Sequence, residues 1–183
     1  MAVVEFVLFA VPVLVYVVVQ ARSPDRTWSA AWERVGASRG SARGYGWALV
    51  LLPVLLVAAW GSLVLVPAEV FEAPGVSVAR VSSVAVATGV VLRAAGEEIF
   101  FRGLLGGVLM RRLGFFWGNL LQAALFLIPH LPLLLVDVRL LPLLPVQFLT
   151  GWLLGWLRHR TGSFVPGAVL HAAVNLTAAS ITL

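Results

Sequence analysis

Apolar residues run in blocks of about twenty along this chain, broken by polar residues at only a few points. A helix needs roughly that length to cross the hydrocarbon core of a bilayer. The pattern predicts helices over Ala2–Gln20, Tyr45–Val66, Val78–Met110, Phe115–Val136, Leu140–Leu157 and Phe164–Ile181. The third is long enough to tilt, kink or project beyond the lipid. Between the first two, Trp28, Trp32 and Val35 recur on one helical face. Ser23-Pro24 reads there as a start signal and Gly36 as a stop, which predicts a short interfacial helix with tryptophans at headgroup level. The expected fold is all-α: a polytopic helical membrane protein, about six transmembrane helices plus a short interfacial helix. No repeat or linker divides residues 1–183, so a single transmembrane domain is expected.

Composition points the same way. The chain is 61% hydrophobic and 11% charged, with a mean hydropathy of +1.00. A soluble domain of 183 residues has too little interior to hide that much apolar surface. The absence of cysteine excludes disulfides, thiolate catalysis and iron–sulfur ligation. Glu5, with no basic segment before it, marks the first apolar run as a retained helix rather than a cleaved signal. All thirteen basic residues are arginine, a usage that fits a GC-rich bacterial genome.

The net charge of +5 sits in short loops, so no nucleic-acid partner is expected. Arg22, Arg26, Arg34, Arg39 and Arg43 fall in the first loop, Arg111 and Arg112 in the third, and Arg158 and Arg160 in the fifth. The alternate loops carry Glu69, Glu72 and Asp137 against Arg139. That asymmetry predicts a plasma-membrane protein with both termini outside and the arginine loops cytoplasmic.

Against this background the side-by-side pair Glu97 and Glu98 stands out, because a charge near the bilayer centre costs about 2.5–3.5 kcal/mol even on the lenient scale. Glu98 and Arg102 are four apart and share a helical face, whereas Glu97 is rotated by about 100°. The spacing assigns Glu98 to a structural pair with Arg102 and leaves Glu97 to face a cavity. His130 lies between Pro129 and Pro132, where the carbonyls of Leu125 and Ile128 should lose their usual partners. His171 and Asn175 are again four apart, on a helix that Ser163 and Pro166 should begin. A neutral imidazole and a carboxamide on one face can donate to a developing oxyanion. At 1.5 Å per residue, Glu97 lies ~21 Å along its helix from Arg111, and His130 a similar distance beyond Gly114. His171 and Asn175 fall ~12 and ~18 Å beyond Ser163. Three helices thus bring polar residues to overlapping depths, which favours one shared site.

Other polar positions have quieter readings. Arg80 can snorkel to the surface, Arg93 can pair with Glu97 or Glu98, and His159 lies solvated in a loop. Gly103–Gly107 and Gly151–Gly155 are close-packing signals.

The constellation resembles the CAAX-protease and bacteriocin-processing (CPBP, or Abi) family of intramembrane proteases. The family's Glu-Glu-x-x-x-Arg element matches Glu97, Glu98 and Arg102, continued as Phe101-Arg102-Gly103. Its Phe-x-x-x-His element matches Phe126 and His130, and its His-x-x-x-Asn element matches His171 and Asn175. Phe148–Val165 also looks like the family's run before the last element, and the likeness covers Ala85 to Ala179. The resemblance implies hydrolysis of a peptide bond in a membrane-embedded or lipid-anchored substrate. Glu97 would then activate water, His130 would share or orient it, His171 and Asn175 would hold the oxyanion, and Arg102 would hold Glu98. A divalent metal such as zinc, bound by Glu97, His130 and His171, is the alternative form of that chemistry. Two other classes compete: a haem protein with His130 and His171 as axial ligands, and a non-catalytic binding, scaffold or transport protein. The haem reading explains the histidines but not the Glu-Glu-x-x-x-Arg element, six spans without repeats make a transporter unattractive, and the intact signature residues argue against a scaffold.

Overall fold

The computed structural model describes residues 1–71 and 81–180, and these are helical wherever they are regular. Glu72, the predicted helix start at Val78, Arg80 and Ile181 lie outside the described residues. The element order is α1 (Ala2–Ala21), α2 (Trp28–Val35), α3 (Ala42–Val64), α4 (Ala68–Phe71) and α5 (Val84–Glu97). A π-helical segment (Glu98–Gly106) leads into α6 (Gly107–Leu127) and a 3₁₀ turn (Ile128–His130). Then come α7 (Leu133–Val136), a second 3₁₀ turn (Val138–Leu140), α8 (Leu143–Thr161) and α9 (Val165–Ser180).

Local chemistry sets the helix starts. The hydroxyls of Ser41 and Ser83 accept from the backbone N–H groups of Gly44 and Val86, capping α3 and α5. The interfacial helix α2 is present, but Thr27 caps it, through the Ala30 N–H, not Ser23. The chain from Ser23 to Asp25 turns instead, with Arg26 N–H bonded to the Ser23 carbonyl. Gly36 ends α2 in the left-handed region (φ 72°), as its position suggested.

Among the described residues, four helical stretches are long and apolar enough to cross a membrane: Ala2–Ala21, Ala42–Val64, Val84–Val136 and Val138–Thr161. Two features separate this count from the six spans read in the sequence. The third stretch runs 53 residues and contains a break at Gly114, where φ is 75° and ψ 170°. The described part of α9 is only 16 residues long.

At Gly114 the chain folds back on itself. A Cβ on Gly118 would stand 2.5 Å from the Met110 Cα, and one on Gly106 would stand 3.7 Å from the Gln122 side chain. The Phe126 ring lies beneath the Arg102 guanidinium. Met110 with Gly118, Gly106 with Gln122 and Arg102 with Phe126 are successive steps of one antiparallel register. The next step sets His130 at the level of Glu98.

Around this hairpin, α1 packs on α5 and α3 lies against α8 and α9. Ala48, Leu51 and Leu55 of α3 meet Leu154 and Leu157 of α8 and Leu170 and Val174 of α9. Val13 and Val17 of α1 bury the inner face of α2 at Ala31 and Val35, leaving Trp28 and Trp32 exposed. Outward-facing positions are largely valine and leucine, whereas Glu98, Arg102, Asn119, Gln122 and His171 are buried. Apolar residues outside and polar residues inside fit a protein whose solvent is lipid.

Candidate active site

Glu97 ends α5 and Glu98 opens the π-helical segment, so the site sits where the helix widens. π-Helical turns are rare and occur frequently at functional sites. Arg102 lies within the same segment. Its Nη1 is 2.8 Å from Glu98 Oε1, with both side chains fully buried. The contact is off the line of a hydrogen bond, and none of the three guanidinium nitrogens has a hydrogen-bond partner among the described residues. Charge attraction therefore holds the pair, helped by the Phe126 ring 4.1 Å from the guanidinium carbon.

α9 supplies the third member. Gly167, in its first turn, leaves room for Glu98, whose Oε2 would be 3.5 Å from a Cβ there. One turn later, His171 Nδ1 is 2.9 Å from Glu98 Oε1, and its Nε2 faces Glu97 Oε2 at 3.8 Å. Glu98 accepts from His171, so Nδ1 carries a proton and Nε2 is the nitrogen turned toward Glu97. This alters the sequence expectation of a neutral imidazole donating to an oxyanion, because its proton is already committed to Glu98. Glu97 is 12% exposed and is the less tightly held carboxylate of the two.

The α6 arm brings His130. Pro129 removes one backbone donor, but the expected loss of partners at Leu125 and Ile128 does not occur. The helix tightens to 3₁₀ geometry: Ile128 N–H bonds to the Leu125 carbonyl, and Leu131 N–H to those of Leu127 and Ile128. His130 Nδ1 donates to the Phe126 carbonyl at 2.8 Å, which leaves Nε2 free to accept. Its ring lies 5.0 Å from the Phe126 ring, which stands 6.1 Å from that of His171.

Arg102, His130 and His171 therefore surround the buried Phe126, and Glu97 and Glu98 meet His171. Asn175 lies one turn beyond His171, half-buried, and makes no side-chain hydrogen bond among the described residues. Arg93 pairs with neither Glu97 nor Glu98; its guanidinium forks onto Glu5 of α1 at 2.6 and 2.9 Å. His159 is exposed, but its ring stacks on Phe115 at 4.5 Å. Among the described residues, no group of three or more His, Cys, Asp or Glu side chains is spaced to hold a metal ion.

Sequence reasoning missed a second buried polar pair on the hairpin. Asn119 Nδ2 donates to the Trp152 carbonyl at 3.1 Å, and Gln122 Nε2 donates to Asn119 Oδ1 and to the Gly151 carbonyl. The signal was present: Asn119 and Gln122 share a helical face opposite Gly155, whose missing side chain makes the room.

A family model described as type II CAAX prenyl endopeptidase, Rce1-like, matches residues 79–177, just over half of the chain. Searches of curated proteins and of solved structures found no match. The matched region contains the π-helical segment, the Gly114 hairpin and α9 as far as Thr177, and so every residue of the buried cluster. The chain belongs to the Rce1-like family and is a CAAX protease-type intramembrane endopeptidase.

Proposed function

We propose that this protein hydrolyses peptide bonds of membrane-associated substrates with a water molecule activated by Glu97. One observation carries the reading. Glu98 is held by Arg102 and His171, which leaves Glu97 as the freer carboxylate, 3.8 Å from His171 Nε2. That separation is longer than a hydrogen bond, so Glu97 is free to accept one hydrogen of a water. His130 Nε2, freed by the bond from Nδ1 to Phe126, accepts the second hydrogen of that water and fixes its orientation.

Glu97 takes one proton as the water oxygen bonds to the scissile carbonyl carbon. The oxyanion that forms receives the Asn175 amide, and His171 adds a second donor once Nε2 is protonated through Glu97. Return of that proton to the leaving nitrogen accompanies cleavage of the C–N bond. Arg102 and Glu98 hold the His171 ring in position without touching the reacting atoms.

A metal-dependent version has one observation in its favour. Both histidines have Nδ1 anchored and Nε2 open, as metal-ligating histidines do. Glu97, His130 and His171 would be its ligands, a donor set zinc accepts, but they are not spaced as a ligand group. No step is therefore assigned to a metal.

The arginine-rich loops support a cytoplasmic placement of that end of the bundle, with both termini outside, in a cell membrane. The test is cleavage of a membrane-anchored peptide by purified protein in liposomes, with and without chelator. Activity that survives chelation and disappears in Glu97→Gln is expected. Full activity in Glu97→Gln would overturn the proposal, and loss on chelation with recovery on zinc would favour the metal version.

A further inference from the structure

At the end of the bundle away from Glu97, two arginine side chains converge on the backbone oxygen of a third arginine. Arg111 Nη1 donates to the Arg34 carbonyl at 2.9 Å, and Arg158 Nη2 approaches the same oxygen at 3.4 Å. The Arg34 side chain springs from that same residue, with its Nε buried and without a hydrogen-bond partner among the described residues. The oxygen belongs to the last turn of α2, where the helix dipole is negative, and that placement explains why two cations are drawn to it.

The positions are built, not incidental. A Cβ on Gly36 would overlap the Arg158 guanidinium, and one on Gly107 would stand 3.1 Å from Arg111 Nη1. Tyr16 of α1 fixes the other arm of Arg111, whose Nη2 donates to the phenol oxygen at 3.0 Å. Four elements thus orient the guanidinium groups.

Their charge is uncompensated. Among the described residues, no carboxylate lies within ion-pair distance of Arg34, Arg111 or Arg158. Glu33, the acidic neighbour on α2, accepts from Ser29 instead. The Nε atoms of Arg34 and Arg158 are buried without partners. One helix-end carbonyl cannot balance the charge of the guanidinium groups gathered around it, which suits the place to an anionic ligand.

We propose that Arg34, Arg111 and Arg158 form a binding site for the phosphate of an anionic lipid headgroup. Planar guanidinium forks suit phosphate oxygens. Arg111 is exposed at the helix end, and the exposed Trp28 and Trp32 of α2 mark the headgroup level beside it. A lipid phosphate would therefore tie α1, α2, α6 and α8 together at their shared corner.

The test uses the full-length protein in a neutral detergent. Thermal unfolding is followed on adding phosphatidylglycerol, phosphatidylcholine or inorganic phosphate. Phosphatidylglycerol should raise the unfolding midpoint, while the other two should leave it in place. Arg158→Gln should weaken the phosphatidylglycerol effect about tenfold in lipid concentration, and Arg160→Gln, from the same last turn of α8 but outside the cluster, should not. If Arg158→Gln does not fold, Arg158→Lys carries the test: it keeps the charge but loses the fork, so weaker lipid binding supports the site and unchanged binding overturns it. Equal stabilisation by phosphatidylcholine would overturn the proposal. Equal stabilisation by inorganic phosphate would overturn the lipid assignment, and equal weakening in Arg160→Gln would reduce the site to general surface charge.

Discussion

Arg102 lies 4.1 Å over the ring of Phe126, and that contact ties the two arms of the Gly114 hairpin at the depth of the buried carboxylates. The guanidinium has the Glu98 carboxylate at 2.8 Å and an aromatic face in place of water. Removing its charge leaves Glu98 buried with only His171 as a partner. Arg102→Met should cost about 3–5 kcal/mol of stability, read as a lowered unfolding midpoint in detergent. The double variant with Glu98→Gln should recover part of that loss, because no charge is then left unpaired. A midpoint for Arg102→Met within a degree of the parent would contradict this account of the pair.

The two adjacent glutamates should separate in their effects. Glu97→Gln keeps the shape of a side chain that makes no hydrogen bond among the described residues, so the unfolding midpoint should hold while peptide cleavage falls by about 10²–10⁴. Glu98→Gln should lose both, because Arg102 and His171 each depend on its charge. Comparing melting and cleavage for the two variants checks the division. Equal melting points would show that Glu98 has no structural role.

Gly118 is constrained by the backbone of Met110, which cannot move aside as a flexible side chain would. Gly118→Ala should force the arms apart at the base of the hairpin and cost about 1–3 kcal/mol. Gly46→Ala, at a position with open space around it, should be neutral by the same thermal assay. A Gly118→Ala protein as stable as Gly46→Ala would disprove the close approach.

Asn119 and Gln122 join α6 to α8 without touching the carboxylates. Asn119→Leu and Gln122→Leu should each lower stability by about 0.6–2 kcal/mol, the range for interhelical hydrogen bonds in membranes. Cleavage per folded molecule should stay near the parent value. A selective loss of turnover in either variant would place the pair in the chemistry instead.

Most of the helical framework was legible because lipid demands long apolar runs, and those runs are visible without any tertiary information. The Glu98–Arg102 pair was legible because it lies within one turn. Contacts between distant parts of the chain were harder to read. Arg93 reaches Glu5 across two helices, and no local spacing points to it. Thr27, not Ser23, caps α2 because the preceding turn delays the helix. The π-helical segment left no sequence signal: the Glu-Glu-x-x-x-Arg spacing reads equally well on an ordinary helix. The 3₁₀ turn at Pro129 shows the converse, a disruption expected from sequence that a tighter winding resolves.

The Gly114 reversal acts as a caliper. Sixteen residues separate Glu98 from Gly114, and sixteen separate Gly114 from His130. Lengthening one jaw by a single residue would swing its tip about 100° and slide it ~1.5 Å, turning the imidazole away from the carboxylates. Insertions should therefore be poorly tolerated between Glu98 and His130, although much of that stretch never meets a substrate.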